Sequence, residues 1–210
     1  MPTAMPPGRL ITIEGIDGAG KTTLAQALAS QLNHRGVDVR VLREPGGVAA
    51  AERIREVVKD PATRLGPRAE ALLYAAARAQ LVEEAVDPLL RARAVVLLDR
   101  FVDSSLAYQG AARGLGVEAV RAINEFGTHG LVPDRTLLLD VDVRVGRSRA
   151  RHRDPTRDRL ERERDEFFSV VAAAYLELWR RDPRRVRRID ASRPFHTVLA
   201  AALEEIADLL

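Results

Sequence analysis

The run Ile13-Glu14-Gly15-Ile16-Asp17-Gly18-Ala19-Gly20-Lys21-Thr22-Thr23 leaves this chain few architectures to choose from. From Gly15 to Thr22 it reads G-x-x-x-x-G-K-T, and the apolar stretch Leu10-Ile11-Thr12-Ile13 comes directly before it. A strand that ends in such a loop and continues as a helix is a phosphate-binding unit. Gly15, Gly18 and Gly20 permit the tight turns that let backbone N–H groups converge on anionic oxygens. The helix that starts near Gly20 adds the positive end of its dipole. Lys21 brings a full charge to the β- and γ-phosphates, and the Thr22 hydroxyl is placed to ligate Mg²⁺. The set expected to bind a nucleoside triphosphate is therefore Gly15, Ile16, Asp17, Gly18, Ala19, Gly20, Lys21 and Thr22.

The rest of the chain alternates short apolar runs with helical patterns. Strands are expected at Leu10–Glu14, Val37–Leu42, Ala94–Asp99, Thr136–Val141 and Val186–Ile189. Helices are expected from Gly20 to about His34, closed by Gly36, and from Val48 to Val58. A long one from Arg68 to Arg93 should bend or split at Pro88, after a break at Pro61 and Gly66-Pro67. Others are expected at Val117–Thr128, Val143–His152, Leu160–Arg181 and Phe195–Leu209. This alternation implies a five-stranded parallel sheet with helices on both faces, a three-layer α/β domain over residues 9–210. Ligands of such sheets bind beyond the carboxyl ends of the strands, so the loops after Ile13, Leu42 and Leu98 should carry the function.

Composition narrows the partners. The 210 residues suffice for one substantial core, and the Pro-rich segment Met1 to Gly8 reads as a frayed terminus without a signal core. No cysteine is present and no apolar run reaches membrane-spanning length, which together predict a soluble cytoplasmic protein. The net charge is +3, Lys21 and Lys59 are the only lysines, and acidic residues accompany most arginine clusters. Aromatics make up only 4% of the chain, too few to interleave a basic nucleic-acid face. Neither a nucleic acid nor a membrane is expected as partner.

Three further segments carry candidate chemistry. The second strand ends in Arg43-Glu44-Pro45-Gly46-Gly47, which would aim Arg43 and Glu44 into the crevice; alone, it reads equally well as an ordinary strand-to-helix turn. In the third helix, Tyr74 and Arg78 share a face. A ring to stack on a base and a guanidinium to bond its edge suit a nucleobase pocket, though the same pair also fits an exposed helix face. The third strand ends in Asp99-Arg100-Phe101, followed by Ser104-Ser105-Leu106-Ala107-Tyr108-Gln109-Gly110. Asp99 beside a phosphate loop is placed to hold Mg²⁺ with Thr22, and Arg100 to face a phosphate.

Together these segments resemble the thymidylate kinase family, nucleoside-monophosphate kinases that phosphorylate dTMP. The resemblance runs from about Leu10 to Ile206 and includes the phosphate loop, R-E-P-G-G, A-A-R-x-Q, D-R-F-x-x-S-S-x-A-Y-Q-G and P-D-x-T-x-x-L-D at Pro133–Asp140. It implies the P-loop nucleoside-monophosphate kinase fold, MgATP as donor, and a homodimer, for which the apolar Ala/Leu faces of the Arg68–Arg93 helix are candidates. It also implies roles at the matching positions. Asp17 lies near the deoxyribose 3′-hydroxyl and the metal, and Glu44 and Pro45 border the monophosphate. Arg78 contacts the thymine edge, Arg100 binds the acceptor phosphate, and Ser104 and Ser105 lie near the base. Tyr108 lies below the sugar, and Gln109 near the base or phosphate. Tyr74 stands where the family usually has a stacking Phe; the ring is kept and a phenol is added.

Nine arginines fall between Arg144 and Arg164, and Pro155 interrupts their helical pattern. Charge-rich runs are usually solvated surfaces. The resemblance reweights this one as a lid, at about 149–160, that closes over the transferring phosphoryl. No arginine lies between Gly15 and Lys21, which resembles the subclass that supplies its catalytic arginine from the lid. Arg153 and Arg159, with Arg149 next, are the expected catalytic cations beside Lys21 and Arg100; His152 is expected to be exposed. Alternatives are a kinase for another monophosphate, such as dUMP or dCMP, and a non-catalytic P-loop switch. The switch leaves Arg78, Arg100, Ser104 and Tyr108 unexplained, and no guanine-reading N-K-x-D element is present.

Overall fold

The structure, a computed structural model, describes residues 8–153 and 158–210. The expected frayed terminus, up to residue 7, and the side chain of Arg153 lie outside the described residues. The first unit is β1 (Arg9–Glu14), the phosphate loop and α1 (Lys21–His34). Gly36 closes α1 at φ 82°, with its N–H on Asn33 O and that of Val37 on Leu32 O, a left-handed turn that a side chain would strain. Next come β2 (Val39–Arg43), α2 (Ala49–Lys59) and α3 (Pro67–Leu81), which has Pro67 in its first turn.

The expected break near Pro88 takes a specific form. The helix widens into a π-turn over Val82–Val86 and resumes as α4 (Asp87–Arg91). A proline has no N–H to donate and its ring crowds the preceding turn, and the wider turn absorbs both defects. After β3 (Val95–Asp99) comes a helical stretch that periodicity did not reveal: α5 (Val102–Ser105), widening into a π-turn over Leu106–Ala112. The chain continues through α6 (Val117–Thr128), β4 (Arg135–Asp140) and α7 (Val143–Arg153).

The helix expected from Leu160 starts later, as α8 (Asp165–Arg181). The Asp158 carboxylate accepts the N–H groups of Leu160 and Glu161, both at 3.0 Å, and holds that segment in a turn. Asp165 and Glu166 then supply the acidic first turn. The chain ends with β5 (Val186–Asp190), α9 (Phe195–Glu205) and a 3₁₀ turn at Ala207–Leu209, where one continuous helix was expected.

The five strands form one parallel sheet in the order β2-β3-β1-β4-β5. Its central strands are buried on both faces, which is why they read as unbroken apolar runs. Alternation divides their side chains. Ile11, Ile13, Val95 and Leu97 join a large cluster with α1, α8 and α9, while Leu10, Val96 and Leu98 join a smaller one with Leu81, Val82 and Val86. The register sets Ile13 opposite Asp99, and Asp99 opposite Arg43, so the three functional loops leave the sheet side by side. Leu97 has no exposed surface. Leu97→Ala is expected to lower stability by about 2–5 kcal/mol in urea unfolding, the cost of lost burial plus a cavity.

Candidate active site

The phosphate loop is shaped by its glycines and held by its lysine. Gly18 has φ 79°, and a Cβ there would collide with the Gly146 carbonyl. Gly20, at φ 99°, leads into α1. The Lys21 ammonium donates to Gly15 O at 3.1 Å and Ile16 O at 2.9 Å. Burial, reinforced by the Arg100 cation, brings its pKa down to about 8, against the pull of Asp17, Asp99 and Glu14. The Thr22 hydroxyl donates to Asp99 Oδ2 at 2.6 Å. Those two oxygens are hard donors of the kind Mg²⁺ takes, and the rest of its shell is normally water and substrate phosphate. Among the described residues, no group of three or more His, Cys, Asp and Glu is placed to hold a metal by itself. That donor set fits a metal that arrives with its nucleotide.

Arg100 follows Asp99 in a left-handed conformation, φ 73°, with its N–H bonded to Ile13 O at 3.1 Å. A non-glycine residue there costs about 1–3 kcal/mol and persists only where its surroundings compel it. They do so here. Its guanidinium pairs with Asp17 at 2.6 Å and also donates to Gly15 O, Ser104 Oγ, Tyr108 Oη and Tyr175 Oη at 3.0–3.4 Å. Burial alone would raise the Asp17 carboxyl, but Arg100 and Lys21 hold it well below the usual carboxylate range. Tyr108 donates to Asp17 at 3.1 Å and closes the triangle.

Behind this triangle lies Glu14, fully buried, which the sequence reading passed over. It accepts the Phe101 N–H at 2.7 Å, the Ser104 hydroxyl at 2.6 Å and the Tyr175 hydroxyl at 2.9 Å. Burial raises its carboxyl, with Asp103 adding to the effect. Ser104, expected near a base, therefore serves Glu14 and Arg100. Nothing in the local sequence marks Glu14 or Tyr175, because their partners come from distant segments.

Lys21, Thr22, Asp17, Glu44, Pro45, Tyr74, Asp99, Arg100, Ser104, Ser105, Tyr108 and Gln109 all line one cavity of about 530 Å³. Arg78 does not. Its guanidinium pairs with Glu44 at 2.6 Å and donates to Ser105 Oγ and Phe101 O, each at 2.9 Å, and to Asn124 Oδ1. These bonds engage all three nitrogens, so the residue expected at the thymine edge stands behind the wall and fixes it. Burial pushes the Glu44 carboxyl up to about 7 against the pull of Arg78, and Glu44 Oε1 has no hydrogen-bond partner.

The cavity also has a basic wall: Arg43, aimed into the crevice as its place after the second strand suggested, and Arg55 and Lys59, which the sequence did not single out. Arg55 donates to Pro45 O at 2.7 Å. A signal was available, since Arg55 and Lys59 are four apart on one face of α2.

The arginine-rich segment departs most from expectation. Arg149 is exposed and donates to Ala191 O at 3.3 Å. Arg159 pairs with Glu70 at 2.6 Å and donates to Val58 O at 3.0 Å. Neither lines the cavity; from this segment Asp158, Leu160 and Glu161 do. Arginine lengths and charge suited them to phosphates, but nearer carboxylate and carbonyl acceptors claim them. His152 is exposed, as its surroundings in sequence suggested.

A family model described as thymidylate kinase matches residues 13–202. Among similar proteins is the thymidylate kinase of Latilactobacillus sakei, 47% identical over 203 residues and 95% of each chain. That of Halalkalibacterium halodurans is 49% identical over 209 residues, 98% of this chain and 99% of that one. The crystal structure of thymidylate kinase from Ehrlichia chaffeensis superimposes with a TM-score of 0.78 at 28% identity, covering 96% of this chain and 99% of the other.

The depressed Lys21 pKa predicts a proton-linked binding step. A triphosphate placed beside Lys21 restores the charged form, so binding above pH 8 must take up a proton. Calorimetric titration with MgATP in buffers of different ionisation enthalpy should show uptake approaching about one proton near pH 9 and almost none near pH 6.5. Lys21→Met should abolish the uptake.

Proposed function

The chain belongs to the thymidylate kinase family, and from that premise we propose how its residues divide the work. It is an ATP-dependent phosphotransferase that moves the γ-phosphoryl of ATP onto dTMP, giving dTDP and ADP. One observation carries the assignment of roles: donor-side Lys21 and Thr22 and acceptor-side Arg100 line the same cavity, with Asp17 of the loop bonded to Arg100 at 2.6 Å.

Lys21 and the loop amides hold the donor phosphates. Thr22 and Asp99 would hold Mg²⁺, which would supply charge neutralisation to the donor phosphates. Arg100, oriented by Asp17, binds the acceptor phosphate, with Arg55 and Lys59 adding charge on the same side. Tyr74 stacks on the base, while Ser105 and Gln109 meet its edge on a wall that Arg78 and Glu44 hold rigid. Tyr108 floors the sugar. The acceptor is already an anion, so no strong general base is needed, and rate comes from alignment and charge compensation. Of the three lid arginines expected to be catalytic, Arg159 is committed elsewhere and Arg149 is turned to Ala191, so Arg153 is assigned to the transferring phosphoryl.

The active protein is a homodimer in this reading. Phe126 on α6 is 87% exposed and Leu72 on the adjacent α3 is 57% exposed, side chains whose burial a second copy would favour. Residues 9–210 act as one domain with a lid, and the location is cytoplasmic. No helix among the described residues is long and apolar enough to cross a membrane.

A coupled ADP-release assay with dTMP, dUMP, dCMP and dGMP tests the acceptor: dTMP should dominate, and no stimulation above ATP alone would refute the reading. In single-turnover kinetics, Arg153→Ala should cost about 10³-fold or more and Arg100→Ala should also raise the dTMP requirement. A wild-type rate in Arg153→Ala would remove that residue from the mechanism. Phe126→Asp should give a monomer in sedimentation.

A further inference from the structure

Glu70 is fully buried on α3, yet the chemistry above gives it no task. Its carboxylate gathers hydrogen bonds on Oε1 and ion pairs on Oε2 from two distant parts of the chain. From the π-turn after α5 and the loop beyond it, Gln109 Nε2 donates at 2.8 Å and Arg113 pairs at 3.2 Å. From the lid, Arg159 pairs at 2.6 Å.

The contacts extend in both directions. Arg113 also pairs with Glu163 at 2.7 Å and lies 4.8 Å over the Phe167 ring. Arg159 bonds to α2 through its Nε on Val58 O at 3.0 Å and its backbone N–H on Lys59 O at 3.1 Å. Lys59 in turn pairs with Asp158 at 2.7 Å.

Among the described residues the ion pairs run as a chain, Arg159 to Glu70 to Arg113 to Glu163, with two negative and two positive charges. Glu70 has no exposed surface and Arg159 only 13%, so solvent screens their pairing little. If Arg159 swung to a phosphate, a fully buried carboxylate would lose one of its two cations, and the Val58 carbonyl would lose its side-chain donor. The elements these contacts tie together also line the cavity, with Gln109 from the first and Asp158, Leu160 and Glu161 from the second.

We propose that Glu70 is a positioning residue that anchors residues 158–164 against the acceptor wall, with Arg159 as the tether and no part in holding the transferring phosphoryl. The proposal rests on reading residues from about 149 to 160 as the lid of a dTMP kinase. It gives the lid arginines different tasks, Arg159 for attachment and Arg153 for chemistry.

The test uses the full chain with Glu70→Gln, Arg159→Gln, their double variant and Arg159→Lys. Limited trypsin treatment without nucleotide reads lid attachment directly, and it stands whether or not the protein phosphorylates dTMP. Cleavage after the exposed Arg162 and Arg164 should be about tenfold faster in both single Gln variants, with other cuts unchanged. The double variant should be no faster than either single one, and Arg159→Lys should recover part of the protection. In steady-state assays the dTMP KM should rise about tenfold in both Gln variants, with kcat within about threefold of wild type. Unchanged cleavage overturns the proposal. So does a kcat loss of about 10³-fold in Arg159→Gln but not in Glu70→Gln, which would make Arg159 a phosphoryl ligand. Faster cleavage spread over the whole chain would reduce Glu70 to general stability and overturn it too.

Discussion

The parallel pairing of β1 with β3 governs where the charged groups of this protein meet. With Ile13 opposite Asp99, the phosphate loop and the Asp99-Arg100 pair leave the sheet together. The Thr22 hydroxyl then reaches Asp99 at 2.6 Å, and the Arg100 N–H closes on Ile13 O. A one-residue slip would turn each side chain of β3 to the other face and carry Asp99 away from Thr22. The same pairing makes room for β2 on the far side of β3, which brings Glu44 to α3 and Arg78.

A site built this way concentrates charge where water is scarce. Lys21, Arg78, Glu14 and Glu44 are all buried, and desolvating such groups costs several kcal/mol each unless partners compensate. Each finds compensation: Lys21 in the carbonyls of Gly15 and Ile16, Arg78 and Glu44 in each other, Glu14 in Ser104 and Tyr175. The result is a cavity whose cations are oriented before any substrate arrives. Preorganised charge of this kind needs no reorganisation at the moment of transfer, which is the main advantage open to an enzyme that moves a phosphoryl between two anions.

How much the sequence disclosed depended on how far apart the interacting residues lie. The strands were legible because each is a local apolar run, and the phosphate loop because its glycines and lysine are contiguous. The end of the long helix near Pro88 was legible as a defect, while its π-turn form was not, since that depends on how the helix packs. Arg78 shows the limit most clearly. Its type and helix face suited a nucleobase edge, yet Glu44 and Asn124, 34 and 46 residues away, take up its guanidinium. Arg159 was likewise legible as a cation and illegible as a tether, because Glu70 lies 89 positions earlier in the chain.

By itself, the sequence determined which chemical groups this protein brings: a glycine-rich loop shaped for phosphate, a carboxylate and a hydroxyl of the kind Mg²⁺ takes, and an arginine suited to an anion. Those assignments need only residue type, short spacing and the period of the backbone. Tertiary structure alone decided which charges remain free to meet a substrate and which are spent on one another. A guanidinium binds the nearest acceptor that is shielded from water, and nearness across a folded chain is set by sheet order and helix packing, which no local pattern records.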